Sequence, residues 1–425
     1  MDAAQITSVV VFVVAMTAIM TEKIHRALVA IVGAMFLLFI HILTFDQAMS
    51  HVDFNTLGVL FGMMLFVAVV KESGIFEYLA IKCARLAKGD PWHVMLMFIL
   101  LTAVLSAFLD NVTTVLLIGP MTLTVCRLLE VDPIPFFLTE IMASNIGGTA
   151  TLIGDPPNIM IGSAAGFTFS DFIIYDAPDV ILVLIAIGFI FYFMFGRKMH
   201  VDQEHRDKVM ALNENDEIKD ARLMKISIGM TLLVVVGFML HGTLGIESCV
   251  VAMGAAGLIM LISRRSIEKA LHGVEWTTLT FFAGLFIIVG AMAETGVIGI
   301  VAQALVDVTG GNVVVAMLVL LFASAIISSF LDNIPFVATM IPILLAMETT
   351  GMDVLPLWWA VSLGACLGGN GTLIGASCNV VLSDISKREG YPITFASYTK
   401  VGFPIMLVTV AISAVYLMVR FVLLA

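Results

Sequence analysis

Two nearly identical segments place an aspartate and an asparagine inside long apolar runs. The first, "SAFLDNVTTVLLIGP", covers residues 106–120, and the second, "SSFLDNIPFVATMIP", covers residues 328–342. A second matching pair is "NIGGTATLIGDPPN" at 145–158 and "CLGGNGTLIGASCN" at 366–379. A repeat of this length, at a spacing of 221 to 222 residues, is not explained by helix periodicity. It predicts a duplicated architecture.

The composition indicates a protein that lies in a membrane. Of its 425 residues, 60% are hydrophobic and only 12% are charged, whereas soluble domains carry about a quarter charged residues. The apolar runs are long enough for membrane-spanning helices and lack the alternation of an outer-membrane barrel. We therefore predict an all-α polytopic membrane protein. No nucleophile with a neighbouring base and no metal-ligand spacing is recognisable, so we do not expect an enzyme.

The placement of basic residues predicts the topology. Residues 71–93 contain four Lys or Arg, whereas the equivalent residues 293–315 contain none. Under the positive-inside rule the two copies face opposite ways, the central linker is cytoplasmic and both termini lie outside. We predict N-terminal scaffold spans at 1–46, a first inverted repeat at 47–197, a cytoplasmic linker at 198–225, further scaffold spans at 226–270 and a second inverted repeat at 271–425.

Inverted repeats with broken helices at matching positions are typical of secondary transporters, with the site near the midplane where the repeats meet. The breaks at Asp110 and Asp332 are either tips of re-entrant hairpins or short loops between full spans. They carry no flanking charges and no polar loop, which favours re-entrant hairpins buried in protein. We therefore expect the two tips to converge on one cavity from opposite sides.

The polar residues at these breaks are the candidate site. Ionisable groups inside a membrane are costly and usually functional, although Asp110 and Asp332 can also cap the helices that follow them. Asp155 has no counterpart in the second copy, where Ala376 stands. The candidate substrate- and ion-binding residues are Asp110, Asn111, Thr113, Thr114, Asn145, Gly147, Gly148, Thr149, Thr151, Asp155, Asn158, Asp332, Asn333, Gly369, Asn370, Gly371, Thr372, Ser377 and Asn379.

The chemistry of these residues suits a small cation. Hard oxygen ligands suit Na⁺, and we place a possible Na⁺ at Asp110, Asn111, Asp332 and Asn333. Proton coupling is assigned to Asp110, Asp155 and Asp332. The glycines are expected to let the chain unwind and expose backbone groups. The predicted cavity contains no Lys or Arg, which favours a cation or a proton-coupled neutral species over a multiply charged anion.

The four motifs resemble the ArsB/NhaD family of the ion transporter superfamily, in particular permeases of the melanosomal P protein type, over nearly the whole chain. The resemblance implies an elevator-type transporter, usually a homodimer, whose hairpin tips and interrupted helices form the ion site. The family includes Na⁺/H⁺ antiporters, arsenite and antimonite permeases and, more distantly, Na⁺-coupled carboxylate carriers. The tip "LDNVTT" is closer to the NhaD pattern than to that of the arsenite permeases.

The functional prediction is secondary active ion transport, with Na⁺/H⁺ antiport through paired aspartates as the leading hypothesis. The alternative is an arsenite, antimonite or other anion (carboxylate) permease on the same fold, and a gated channel is a third hypothesis. We expect a multi-pass protein of the plasma membrane, no cofactor beyond the coupling ions Na⁺ or H⁺, and no nucleic-acid partner.

Overall fold

The computed structural model describes residues 1–21 and 23–424, and every regular element within those residues is a helix. The helices before the central linker are α1 (Ala3–Met20), α2 (Arg26–Phe39), α3 (Phe45–Ser50), α4 (Phe54–Lys71), α5 (Ile75–Leu86), α6 (Pro91–Ser106), α7 (Asn111–Leu129), α8 (Ile134–Thr149), α9 (Pro156–Ala165), α10 (Phe169–Tyr175) and α11 (Ala177–Met194).

The helices from the linker onward are α12 (Gln203–Met210), α13 (Ala221–Leu244), α14 (Ser248–Ser263), α15 (Ile267–Leu271), α16 (Trp276–Glu294), α17 (Val297–Val308), α18 (Val313–Phe330), α19 (Asn333–Thr349), α20 (Leu355–Gly368), α21 (Ser377–Arg388) and α22 (Phe395–Met418). Among the described residues, eight helices are long and apolar enough to cross a membrane. A helix of 18 residues rises about 27 Å, close to the thickness of the hydrocarbon core. The all-α polytopic fold is confirmed.

The helices before the linker recur in the same order after it. Helices α4 and α5 return as α16 and α17, and the hairpin α6–α7 returns as α18–α19. The match extends to local backbone: Gly74 and Gly296 precede α5 and α17 with φ of 82° and 79°, a left-handed conformation that favours glycine. The recurrence also covers α1 and α2, which match α13 and α14. The division into scaffold spans and repeats remains a prediction.

The hairpin α6–α7 opens toward the linker. Arg206 in the linker pairs with Asp90, just before α6, at 2.9 Å, and His205 lies 3.1 Å from Glu130, just after α7. Both ends of the hairpin therefore lie on the side of the helix layer that carries the linker, which we call the linker face.

The hairpin α18–α19 opens toward the other side. Helix α4 ends at the linker face, where the carbonyl of Ser73 accepts a hydrogen bond from the Lys219 amide at 3.1 Å. The start of α4, at Asp53, therefore marks the opposite face. Leu345, near the end of α19, lines a cavity together with Asp53 and His51. The two hairpins thus enter the helix layer from opposite faces, as the sequence predicts for re-entrant elements.

Candidate functional site

Each hairpin tip is an aspartate that caps the helix after it. The carboxylate of Asp110 accepts hydrogen bonds from the backbone amide and the hydroxyl of Thr113, at 2.9 and 2.5 Å. The carboxylate of Asp332 accepts one from the amide of Ile334 at 3.1 Å. The capping role considered from the sequence is therefore present at both tips.

The two halves make direct contact through Asp155 and Asn333. The Nδ2 of Asn333, in the second tip, donates to the Oδ2 of Asp155 at 3.0 Å. The two residues are 2% and 3% exposed, so this contact lies deep in the protein. Helix α9 begins directly after Asp155, at Pro156, as the Pro-Pro pair in the sequence predicts. Asp155 is thus held at the boundary between the two halves.

Asn145 forms a second link between the halves. Its Nδ2 donates to the Oδ1 of Asn370 at 2.8 Å and to the Oδ1 of Asn379 at 3.0 Å. Its own Oδ1 lies 3.4 Å from the Nδ2 of Asn111, in the first tip. One buried amide network therefore connects the first tip to both interrupted segments.

A pair of equivalent asparagines holds the interrupted segments in shape. The Nδ2 of Asn158 donates to the carbonyls of Thr149 and Thr151, both at 3.0 Å. The Nδ2 of Asn379 donates to the carbonyls of Gly369 and Thr372, at 2.7 and 2.9 Å. Because each amide satisfies backbone acceptors that lack a helical partner, it fixes the break beside the site.

The hydroxyls of the predicted threonines mainly donate hydrogen bonds to backbone carbonyls. Thr149 donates to the carbonyl of Asn145 at 2.8 Å, Thr151 donates to that of Ala107, and Thr372 donates to that of Ser329. The last two bonds attach each interrupted segment to the hairpin of its own half. Thr114 is buried, and its hydroxyl has no hydrogen-bond partner among the described residues.

The predicted role of the glycines requires a correction. Gly147 and Gly148 do not unwind the chain, because both lie within helix α8. A Cβ at Gly148 would lie 2.4 Å from the Oδ1 of Asn111, and one at Gly147 would lie 2.2 Å from the carbonyl oxygen of Ala103. These glycines are required because α8 packs closely against the first hairpin. A Cβ at Gly371 would likewise lie 2.3 Å from the Oγ of Ser329, and Gly369 lies in the turn after α20.

The expectation of a site without basic residues is wrong. The Nη1 of Arg26, at the start of α2, lies 3.1 Å from the Oδ2 of Asp332 and 2.7 Å from the hydroxyl of Ser377. Ser377 also donates to Asp332 at 2.8 Å. The carboxylate of the second tip is therefore neutralised by an arginine. The sequence gives no sign that Arg26 belongs to the site, because its partner is 306 residues away.

The site consists of a small central cavity beside a larger open one. The central cavity measures about 40 Å³ and is lined by both tips, through Asp110, Asn111 and Asn333, and by Glu275. A cavity of about 480 Å³ adjoins it and is lined by Asp332 and His25; both cavities share Arg26 and Ser377. Of the four residues predicted to hold Na⁺, three line the central cavity, and Asp332 lines the larger one. Glu275 was missed, although it stands 222 residues after Asp53, the cap of α4.

The comparisons with known proteins agree on a transporter. The model of the family described as "Citrate transporter" matches residues 16–364. An uncharacterized transporter of Mycobacterium tuberculosis is 42% identical over 98% of both chains. The human P protein is 35% identical over 95% of this chain and 58% of its own length. The similarity to the P protein expected from the motifs is confirmed, whereas these matches do not show the narrower ArsB/NhaD assignment.

Among solved structures, the YdaH transporter of Alcanivorax borkumensis, described as having an unusual topology, aligns with a TM-score of 0.61. The alignment covers 89% of this chain and 88% of that one at 16% identity. At this identity the likeness concerns the fold alone.

Proposed function

The chain belongs to the citrate transporter family, and we propose that it is a secondary active transporter that exchanges Na⁺ for protons at the central cavity. The observation that carries this proposal is the charge of the cavity region. Asp110 and Glu275 line it, and Asp155 is bonded to its wall residue Asn333. Within the described residues, none of these three carboxylates has an ion-pair partner. Asp155 is buried, Asp110 and Glu275 are partly buried, and Arg26, which also lines the cavity, is paired with Asp332. Carboxylates that are removed from water without a basic partner bind a cation or a proton.

The size of the central cavity also favours a small ion. A volume of about 40 Å³ holds a few water molecules at most. Carboxylate, amide and hydroxyl oxygens are the ligands that Na⁺ prefers. The cavity lining offers them from Asp110 and Asn111 of the first tip and from Thr278. The same carboxylates bind protons when the cation leaves, so the two ions compete for one site.

The opposite orientation of the two tips suggests how the central cavity is opened in turn to each side of the membrane. In the proposed cycle the hairpins and interrupted helices move as one body relative to the helices around them, in an elevator-type motion. The larger cavity, which leads from the central one past Arg26, is the route to the linker face. We propose that the linker face is cytoplasmic, that the membrane is the plasma membrane, and that the working unit is a homodimer.

The test is transport by purified protein in liposomes that contain a pH-sensitive dye. We expect an inward Na⁺ gradient to drive proton efflux in wild type and to fail in Asp110→Asn and Asp155→Asn. The matched control is Asp353→Asn, which changes an exposed aspartate at the start of α20. Absence of Na⁺-dependent proton movement in wild type, or full movement in both variants, would contradict the proposal.

A second candidate function is favoured by Arg26 and by the family match. An arginine beside a cavity of about 480 Å³ suits a carboxylate or oxyanion, which would replace Asp332 as its partner. Uptake of labelled citrate, smaller dicarboxylates and arsenite by the same liposomes distinguishes this function from the first. Saturable uptake that is lost in Arg26→Ala and retained in Arg264→Ala, an exposed arginine, would support it.

A further inference from the structure

Two further aspartates are buried outside the central cavity. Asp176 and Asp179 lie at the start of α11, and both are 0% exposed. The Oδ2 of Asp176 contacts Ser362 of α20, and that of Asp179 accepts a hydrogen bond from Ser413 of α22 at 2.6 Å. The Oδ1 atom of each aspartate has no hydrogen-bond partner in the described part of the chain. Neither residue belongs to the proposed ion site.

The hydroxyl of Ser362 has one proton and two close partners. It lies 2.9 Å from the Oδ1 of Asn158 and 2.6 Å from the Oδ2 of Asp176. The amide of Asn158 cannot be turned, because its Nδ2 is used by the carbonyls of Thr149 and Thr151. Its Oδ1 is therefore an acceptor. The thiol of Cys366 is a weak donor to it at 3.5 Å, so the hydroxyl of Ser362 is its main donor. The contact with Asp176 then requires a second proton, which only the carboxyl group can supply.

The surroundings of Asp176 agree with a neutral carboxylic acid. The titratable side chains near it are Asp179, Cys366 and Tyr416, and none of them carries a positive charge. The nearby Arg420 lies over the ring of Tyr175, 4.7 Å from its centroid. A buried carboxylate without a cation or a full set of donors is costly, whereas the protonated acid is not.

The acidic pair exists in one half only. The segment "FTFSDFIIYDAP" at 167–178 corresponds to "ITFASYTKVGFP" at 393–404, which places Gly402 opposite Asp176 and Ile405 opposite Asp179. Asn379, the equivalent of Asn158, receives its bond from Asn145 instead of from a serine linked to an acid. The half that contains Asp155 therefore also contains the buried acid.

We propose that Asp176 is a second proton-binding site, and that Ser362 transmits its protonation state to Asn158. When Asp176 loses its proton to water, the hydroxyl of Ser362 turns to donate to the new carboxylate. The Oδ1 of Asn158 then keeps only the thiol of Cys366 as a donor, and the segment between Thr149 and Asp155 is held less firmly. When a proton returns from water to Asp176, the hydroxyl turns back to Asn158.

Infrared difference spectra between acid and alkaline pH test this site without any transport. Purified wild type in lipid is expected to show the C=O band of a protonated carboxylic acid. Asp176→Asn should lose that band, and the surface variant Asp353→Asn should keep it. An unchanged band in Asp176→Asn would overturn the proposal.

A variant that keeps the carboxyl group serves if Asp176→Asn does not fold. Ser362→Ala removes the hydrogen-bond acceptor of the acid, so the C=O band should move in frequency. A band at the wild-type frequency would overturn the role of Ser362. A further expectation rests on the proposed function: Ser362→Ala should change the pH dependence of Na⁺ exchange. If wild type exchanges no Na⁺, the proposed function fails, whereas the infrared result still decides the proton site.

Discussion

The two halves share their architecture and differ in their charges. Asp155 in the first half corresponds to Ala376 in the second, and Arg26 corresponds to Ser248. Shared residues such as Asn158 and Asn379 hold the backbone breaks, whereas the residues that differ set the electrostatics. The shared residues therefore give both halves the same shape at the site, and the residues that differ give them different charges.

The hairpin tips follow the same rule. Asp110 and Asp332 both cap a helix, yet Arg26 pairs only with Asp332 among the described residues. One tip is therefore neutralised and the other is left acidic. Variants that remove or reverse such differences between the halves test what each difference does.

The largest effect is expected from Asp155→Asn, which removes the charge at this position, where the second half has the uncharged Ala376. The variant turns the charged acceptor of the hydrogen bond from Asn333 into a neutral amide. Hydrogen bonds to charged groups are worth about 1.5–3 kcal/mol, so Na⁺ affinity should fall roughly 10- to 100-fold. Equilibrium binding of Na⁺ to purified protein measures this change. The control is Asp353→Asn, and unaltered affinity in Asp155→Asn would mean that Asp155 is not a ligand or a support of the site.

The next effect concerns the neutralised tip. Arg26→Ala leaves the carboxylate of Asp332 without its cation, although 14% of that side chain is exposed. We expect a loss of about 2 kcal/mol in the free energy of unfolding in detergent, less than for a fully buried pair. Adding Asp332→Asn should recover most of this loss in a double-mutant cycle. Additive losses would show that the pair does not stabilise the tip.

A smaller effect is expected at the close approach of α8 to the first tip. Gly148→Ala places a Cβ 2.4 Å from the Oδ1 of Asn111, which must move. Overpacking of this kind costs about 1–3 kcal/mol. Gly229→Ala is the matched control, because no atom lies within 4 Å of the Cβ it would add. Equal thermal stability of the two variants would contradict the packing described for α8.

The smallest effect concerns the linker, which is docked by ion pairs to the first half. Burial raises the pKa of Asp90, but hydrogen bonds from His93 and the charge of Arg206 outweigh it, so the pKa lies below its ordinary value. A lowered pKa contributes stability that is present above the unfolded-state value, about 4, and is lost as the pH falls through the folded-state value. For a partly exposed pair this contribution is below about 1 kcal/mol.

The measurement is proteolysis of the linker as a function of pH. We expect cleavage between 198 and 225 to increase as the pH drops below about 4, and Asp90→Asn to show the increased cleavage already at neutral pH. A pH-independent rate in wild type would mean that the Asp90–Arg206 pair does not hold the linker.

Sequence reasoning was effective wherever the pattern was local or repeated. The breaks at Asp110 and Asp332 and the start of α9 at Pro156 follow from residue types whose effect on the backbone is short-range. Asp155 was recognised as asymmetric because its counterpart is Ala376. These features required no knowledge of how the helices pack.

The features that sequence reasoning missed depend on tertiary packing. Arg26 meets Asp332 only because the start of α2 lies beside the second tip, and nothing near Arg26 in the sequence indicates this approach. Gly148 was assigned to an unwound segment, although it serves close packing inside α8. Ion pairing is an ordinary role of arginine, and glycine serves both close packing and unwound segments. Only the position of the neighbouring helix decides which role applies.

We propose that one Na⁺ site is built by both halves, where Asp155 meets Asn333. Binding of radiolabelled Na⁺ to purified Asp155→Ala, to Asn333→Ala and to the double variant tests it most directly. If the site is shared, each single variant weakens binding and the double variant weakens it little further, because the Asp155–Asn333 contact is already lost. Wild-type binding in either single variant would contradict the account.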